Sequence, residues 1–177
     1  MRTARPARQS GLSLIETCIA ASIACTLLGT AIPSFKGTLE RRQLEGVASE
    51  LATDIAYVRS EAVARNQQVR LSFYVQPEGS CYVVHTGSAA NCSCAPSGAA
   101  QCVGGAVALK SVLRPAGSVA VRANVASMLF DPVRGTASPA GTVRVSGGSK
   151  SIQHVVNIMG RVRSCSPDGA VAGYKAC

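Results

Sequence analysis

Gly11-Leu12-Ser13-Leu14-Ile15-Glu16 opens an almost uninterrupted apolar run that continues from Thr17 to Phe35, and the rest of the architecture follows from it. A helix needs about 20 mostly apolar residues to cross a membrane, and residues 12–35 supply that length with a single charged side chain. The sequence therefore predicts an N-terminal transmembrane helix over residues 12–35.

The single charged residue in this run is Glu16. A carboxylate inside the apolar layer of a membrane costs roughly 2.5–3.5 kcal/mol, and such residues usually have a function and a partner. We therefore predict that Glu16 is a functional residue and that it needs a partner.

Basic residues precede the apolar run and set its orientation. Residues 1–10 contain Arg2, Arg5 and Arg8 and no acid, which by the positive-inside rule holds the N-terminus in the cytoplasm. Everything after Phe35 is then exported. A secretory signal peptide has the same two regions, but its apolar part is usually about 7–15 residues long and ends at a small-residue cleavage site. A membrane anchor without processing is a second alternative.

The stretch from Gly11 to Glu16 resembles the processing site of type IV prepilins and type II secretion pseudopilins. The resemblance implies that a prepilin peptidase removes residues 1–11 and methylates the new N-terminus at Leu12, where the family usually has Phe. It also implies that Glu16 lies against the N-terminal amine of a neighbouring subunit in the filament core. Pro33 stands where such pilins commonly have a helix-bending proline, and proline removes one backbone donor.

Residues 36–66 continue the helix with a different pattern. Charged residues, among them Glu50, Asp54 and Arg59, occupy one face. Apolar residues recur every three or four positions on the other, at Leu44, Val47 with Ala48, Leu51, Ile55, Val58 and Ala62. This is the pattern of an amphipathic helix. We therefore predict one long helix whose second half docks on the rest of the chain and which stops at Asn66, a residue that tolerates the left-handed cap position.

Residues 67–177 form an exported head in which the apolar period falls to two, as in strands. The first strands are predicted at Val69–Val75 and Cys81–His85. Further strands are predicted at 106–113, 118–123, 127–130, 141–145 and 151–159. The phrase at 59–69 resembles the helix-to-strand junction of the FimT/GspH group of minor pilins and pseudopilins. We therefore predict an α+β, type IV pilin-like fold, with the long N-terminal helix packed on an antiparallel β-sheet.

The chain has 8 cysteines, of which Cys18 and Cys25 lie in the apolar run, where packing explains them. An exported head favours disulfides for the other cysteines. These are Cys81, Cys92, Cys94, Cys102, Cys165 and Cys177. Six cysteines allow 15 pairings; their clustering suggests that Cys165 joins Cys177 and that the other four staple the loop 86–105. Zinc is the alternative, but the Cys92-Ser93-Cys94 spacing does not match the usual pairs, so we predict no metal and no cofactor.

The charge of the chain is concentrated in the head. The formal net charge is +9, and from Arg70 onward ten bases stand against Glu78, Asp131 and Asp168. A concentrated positive field attracts nucleic acid, anionic lipid or acidic polymers. Ordinary solubilising charge is the alternative interpretation.

The clearest motif of the head is Gly160-Arg161-Val162-Arg163. In an extended segment the two arginines point to the same side roughly 6.6 Å apart, and two guanidinium groups on one face can bind phosphate. Gly160 would let a ligand backbone approach closely. A Cys165–Cys177 disulfide would hold Lys175 beside this pair, and Arg144 and Lys150, on neighbouring segments, would widen the basic patch.

The motif resembles the C-terminal segment with which FimT-type minor pilins bind DNA during natural transformation. The resemblance implies a minor pilin that is anchored in the inner membrane, with its head in the periplasm, before it is incorporated into a type IV pilus at the cell surface. Its partners would be double-stranded DNA, other major and minor pilins and the prepilin peptidase.

Two other functions are weaker. A structural minor pilin or type II secretion pseudopilin, which primes or caps the filament and binds only other pilins, is the alternative. An enzyme is not predicted, because Ser164, Ser166, His154 and Asp168 lack a nucleophile elbow and His154 shares its strand face with Ile152 and Val156, as a packed histidine would.

Overall fold

The computed structural model describes residues 13–177, apart from the side chains at 28, 30–34 and 168. The predicted processing residues Gly11 and Leu12 lie outside this range. The chain divides into two compact units, residues 1–39 and residues 40–177. In the described part of the first unit, residues 14–39 are helical and include both Glu16 and Pro33. No helix among the described residues combines the length and the apolar character that a membrane span requires.

The long helix α1, Leu14–Arg65, ends close to where the sequence predicts. Asn66 adopts the left-handed conformation, with φ 47°, and its N–H donates to the Val63 carbonyl at 3.1 Å. In the second unit, the predicted apolar face of α1 is buried in the core. Its fully buried members are Leu44, Ala48, Leu51, Ile55, Val58 and Ala62. The helical periodicity is therefore confirmed.

The head contains two larger antiparallel sheets. The five-stranded sheet has the order β5-β2-β1-β7-β8. Its strands are β1 Val69–Gln76, β2 Gly79–Thr86, β5 Ala108–Pro115, β7 Ser127–Phe130 and β8 Ala137–Ser138. The four-stranded sheet has the order β11-β10-β9-β6, and all of its pairs are antiparallel. Its strands are β6 Ala120–Ala123, β9 Gly141–Gly147, β10 Lys150–Val156 and β11 Val162–Cys165.

Both sheets contribute to one core with α1. Strands β9 and β10 alternate between buried and more exposed residues, as expected for a sheet covered on one face, whereas β2 is buried on both faces because the disulfide-linked loop covers its other side. The central residues of this core from the sheets are Leu71, Tyr82, Met128, Phe130, Val143, Val145, Ile152 and Val156. The predicted α+β architecture is confirmed.

The loop predicted over 86–105 is not fully irregular. Two three-residue strands, β3 Cys92–Cys94 and β4 Ala100–Cys102, pair within it. Disulfides explain why such short strands are ordered, since Cys92 bonds Cys102 inside the pair and Cys94 bonds Cys81 of β2. The predicted bridge between Cys165 and Cys177 is also present. With all six head cysteines in disulfides, none is left as a thiolate for zinc.

One residue of the charged face of α1, Asp54, contacts the sheet. Asp54 is buried, with 4% of its surface exposed. Its carboxylate accepts hydrogen bonds from Tyr82 Oη at 2.7 Å and from Lys110 Nζ at 2.6 Å. Glu50, one turn earlier, pairs with Arg114. These contacts fix α1 to β2 and β5 of the five-stranded sheet.

Candidate nucleic-acid interface

The turn between β10 and β11 positions the predicted arginine pair. The Gly160 N–H donates to the Asn157 carbonyl at 2.9 Å, and the Asn157 N–H donates to the Arg161 carbonyl at 3.1 Å. The Asn157 side chain closes the turn, because its Oδ1 accepts from the Arg161 N–H at 3.0 Å. The turn therefore continues the β10–β11 register by one pair and fixes the backbone at Arg161.

Gly160 is needed for this turn. It is buried, its φ is +69°, and a Cβ there would lie 2.6 Å from the Gly135 carbonyl oxygen. A side chain is thus excluded by both conformation and contact. Gly160 packs against a neighbouring turn of the protein, and this contact alone accounts for the glycine.

Arg161 and Arg163 are both exposed on the edge strand β11 or directly before it. Neither guanidinium group has an ion pair or hydrogen bond within the described part of the chain. Arg163 lies opposite Val155 in the β10–β11 register, on the outer face of the four-stranded sheet. Two unpartnered guanidinium groups two positions apart suit a phosphate-bearing ligand.

The same outer face carries two further arginines. Arg144 lies opposite Gln153 of β10 and opposite Arg122 of β6, and both arginines are exposed. The Gln153 amide oxygen accepts from Arg144 Nη2 at 2.6 Å and Nε at 3.1 Å. Our sequence analysis missed Arg122, since only the register between β6 and β9 places it in this row. We call Arg122, Arg144 and Arg163 the arginine row.

A second set of arginines surrounds the turn at Gly160. The guanidinium of Arg59 on α1 lies beside both glycines of the contact, because a Cβ on Gly135 would be 3.0 Å from Arg59 Nε and one on Gly160 3.5 Å from it. Arg134 directly precedes Gly135 and is exposed. Arg59 and Arg161 also line an open groove of about 810 Å³ between α1 and the β10–β11 turn.

The two predicted lysines fall in different places. Lys150 begins β10, opposite Gly147, five positions along the strand from Val155. That separation is roughly 16 Å, so Lys150 lies away from Arg163. The Lys175 carbonyl accepts from the Ser166 N–H at 2.8 Å, and the Cys165–Cys177 disulfide holds this tail beside the end of β11. Lys175 is exposed there.

Two other basic residues of the head are neutralised by carboxylates of α1. Lys110 pairs with Asp54 at 2.6 Å, and Arg114 pairs with Glu50. In contrast, the arginine row has no carboxylate partner among the residues that the structure describes. The available positive charge is therefore concentrated on the outer face of the four-stranded sheet and around the turn at Gly160.

His154 belongs to the core, as its strand position predicts. It has 1% of its surface exposed, and its Nδ1 lies 2.8 Å from Ser164 Oγ. Burial lowers the pKa of His154, so the ring is neutral at pH 7. The predicted strand 151–159 included Ile158, but β10 ends at Val156 and Ile158 is 65% exposed.

Comparison with known proteins places this architecture among the type IV pilins. Two crystal structures of the minor pilin FimU from Pseudomonas aeruginosa strain PAO1 have the same fold. One is 16% identical, with a TM-score of 0.51, and the match covers 70% of this chain and 96% of that chain. The other is 20% identical, with a TM-score of 0.53, over 72% and 95%. No curated protein sequence matches the chain.

The family model of the type II transport protein GspH matches residues 47–160. The chain therefore belongs to the GspH family of type IV minor pilins and pseudopilins. The matched segment starts within α1 and ends at Gly160, so Arg161 and Arg163 follow directly after it. Family and fold are those of structural pilin subunits, which supports interaction with other pilins.

Proposed function

We propose that this protein is a minor pilin whose head binds extracellular double-stranded DNA for natural transformation. The observation that carries the proposal is the exposed, unpartnered pair Arg161 and Arg163, of which Arg163 shares one sheet face with Arg122 and Arg144. Like charges directly opposite one another destabilise a sheet, and Arg122 and Arg144 are such a pair. A polyanionic ligand would remove that cost.

The chemistry of the face favours phosphate contacts over base readout. Guanidinium groups bind phosphate oxygens in a two-pronged geometry, and such contacts position a protein on DNA without reading sequence. Aromatic side chains that could stack on bases are few, and Tyr82 and Phe130 are buried in the core. We therefore expect binding that depends weakly on sequence and strongly on salt.

The N-terminal segment would give this head its position. We propose that the peptidase cuts after Gly11 and methylates Leu12, that the first part of the helix is held in the inner membrane, and that Glu16 then directs assembly into a type IV pilus. Retraction of the filament would draw bound DNA toward the cell. A structural minor pilin or type II secretion pseudopilin, which binds only other pilins, is the second candidate, favoured by the family match.

The test is a salt series of gel shifts with the full-length chain kept soluble in a non-ionic amphipol. Replacing Arg161 and Arg163 with alanine should weaken binding and reduce the slope of log K against log salt by about 0.9 for each lost phosphate contact. The double variant Arg42→Ala/Arg65→Ala is the matched control, because it removes the same charge from α1, where both residues pair with glutamates.

The outcomes separate the two candidates. Unchanged affinity and slope in the Arg161/Arg163 variant would show that these residues are not the site. A comparable loss of affinity in the Arg42→Ala/Arg65→Ala control would show that the effect comes from net charge alone. No binding by the unmodified chain at low salt would favour the structural subunit.

A further inference from the structure

The turn that carries Arg161 also presents two aliphatic side chains to solvent. Ile158 is 65% exposed and Met159 is 53% exposed, whereas Ile152 and Val156 on the preceding strand are buried. Val133, on the neighbouring turn, is 84% exposed. Scattered exposed aliphatic residues need no explanation, but three on adjoining turns form an apolar tip beside the arginines. We call Val133, Ile158 and Met159 the apolar tip.

The backbone beneath the apolar tip is fixed. The Ile158 carbonyl accepts from the Ala137 N–H at 2.9 Å, which joins the β10–β11 turn to β8. Asn157 closes the turn with its own side chain, at 3.0 Å from the Arg161 N–H. Gly160 is packed against the Gly135 carbonyl. The backbone at Ile158 and Met159 is therefore held at a defined position, and little backbone entropy would be lost if their side chains entered a partner.

Positive charge surrounds the apolar tip. Arg161 follows the turn by sequence, Arg134 follows Val133, and the Arg59 guanidinium lies beside Gly135 and Gly160. An acid of the neighbouring turn, Asp131, leaves the charge positive against these three arginines, and its Oδ1 is directed into its own turn, where it accepts from the backbone N–H groups of Val133 at 3.0 Å and Arg134 at 2.8 Å. The tip thus combines exposed aliphatic side chains with flanking arginines.

We propose that Ile158 and Met159 enter the minor groove of the bound DNA and partly unstack one base step, while the flanking arginines bind the adjacent phosphates. Minor-groove proteins use this combination, in which Ile, Met, Leu or Phe acts as a wedge and arginine occupies the groove beside it. The arginine row continues from the tip along the sheet and offers a track for the phosphate backbone. This inference rests on the proposed DNA binding and adds its mode.

An anionic membrane surface is the other partner for a basic, aliphatic tip. It is less suited, because membrane-bound segments bury a broad apolar face, whereas here only the turn residues are exposed and the flanking strands alternate regularly. The test therefore includes both probes.

The experiment uses the full-length chain in non-ionic amphipol and a DNA duplex that carries 2-aminopurine in place of single adenines. Unstacking increases 2-aminopurine fluorescence, so the unmodified chain should raise it on binding. The variant Ile158→Ser/Met159→Ser should abolish the rise and weaken binding roughly tenfold, with an unchanged salt slope because no phosphate contact is lost. Both residues are exposed, so the variant should fold.

The matched control is Val103→Ser/Val107→Ser, which makes the same kind of change at two exposed aliphatic residues, 68% and 56% exposed, of the disulfide-stapled loop. It should leave affinity and fluorescence unchanged. Tight binding without a fluorescence rise, or with equal affinity in the Ile158/Met159 variant, would overturn the wedge while leaving DNA binding intact. If the Ile158→Ser/Met159→Ser variant lost binding to phosphatidylglycerol vesicles but not to DNA, the wedge would be overturned in favour of a membrane contact. No DNA binding at all would overturn the proposed function itself.

Discussion

Asp54 shows how one buried charge can fix a long helix to a sheet. Its carboxylate holds both Lys110 and the Tyr82 hydroxyl at 2.6 Å and 2.7 Å. Burial and the bond to Asp54 raise the pKa of Tyr82, so the phenol stays protonated and donates. Replacing Asp54 with alanine leaves the buried Tyr82 hydroxyl without its acceptor, while Lys110 keeps a longer ion pair with Glu50 at 3.8 Å. We expect a loss of about 1–3 kcal/mol in the free energy of unfolding, measured by denaturant titration.

Glu61→Ala is the control for this prediction. Glu61 pairs with Arg65 at 2.5 Å on the exposed side of the same helix. Exposed ion pairs contribute little to stability, so this variant should unfold close to the unmodified chain. Equal effects of the two substitutions would contradict the role that we assign to the Asp54 contacts.

The two histidines should make the head less stable in mild acid. His85 bonds Ser72 Oγ through Nε2 at 2.8 Å and the Thr86 carbonyl through Nδ1 at 2.9 Å. Burial lowers the pKa of His85, and the nearby Arg70 lowers it further. Burial also lowers the pKa of His154, and the backbone of Ala48 raises it only in part. The Nε2 atom of His154 has no hydrogen-bond partner among the described residues.

A lowered folded-state pKa means that the unfolded chain takes up the proton first as the pH falls. Stability should therefore be constant above the unfolded value of about 6.5 and decrease below it, by at most about 1.4 kcal/mol per pH unit for each histidine. Unfolding titrations between pH 8 and pH 5 measure this. His154→Asn, which keeps a nitrogen near Ser164, should reduce the slope. A stability that does not change between pH 7 and pH 5.5 would refute the prediction.

At the scale of elements, the β10–β11 turn depends on one glycine. Gly160→Ala should be strongly destabilising, because the new Cβ meets both an unfavourable φ of +69° and the Gly135 carbonyl at 2.6 Å. Gly169 isolates the first effect, since its φ is +61° and nothing lies within 4 Å of its Cβ position. We expect Gly169→Ala to cost about 1–2 kcal/mol and Gly160→Ala clearly more. Thermal unfolding of both variants provides the comparison, and equal melting temperatures would show that the Gly135 contact relaxes freely.

The elements that could be predicted from sequence are those with a local period. The apolar positions from Leu44 to Ala62 repeat with the helix, so the buried face of α1 follows from the sequence alone. Strands β3 and β4 have only three residues each, too few for a period to be visible. They depend on the disulfide between Cys92 and Cys102, whose pairing the sequence left open.

The candidate site was predictable only where its residues are close in sequence. Arg161 and Arg163 form a motif that can be read directly, whereas Arg122 joins them through cross-strand pairing with Arg144. No local pattern encodes that register. Lys150 was included because it lies on a neighbouring segment, but it stands at the end of β10 that is away from Arg163. The environment of Asp54 was missed for the same reason, since its partners belong to distant strands.

Across the whole molecule, the basic residues behind the net charge of +9 differ in whether an acid pairs with them. Glu50 and Asp54 neutralise Lys110 and Arg114 on the five-stranded sheet. The four-stranded sheet has no equivalent acids opposite its arginine row within the described head. Salt should therefore act mainly on ligand binding and weakly on folding, because the ion pairs that stabilise the fold are partly buried and screened less.

We propose that assembly depends on a charge at the other end of the chain. Glu16 lies in the first turn of α1, where its N–H donates to the Ser13 carbonyl at 3.1 Å and its side chain is exposed. If a neighbouring subunit neutralises this carboxylate, Glu16→Ala should leave membrane insertion intact or improve it while lowering the amount of the protein in the filament. Immunoblots of sheared pili and of membranes, from cells that express the chain with its filament, measure the two pools. Glu40→Ala, the same change at an exposed residue of the same helix, should leave both pools unchanged. Normal abundance of the Glu16 variant in sheared pili would rule out the assembly role and leave Glu16 with a local function at the start of the helix.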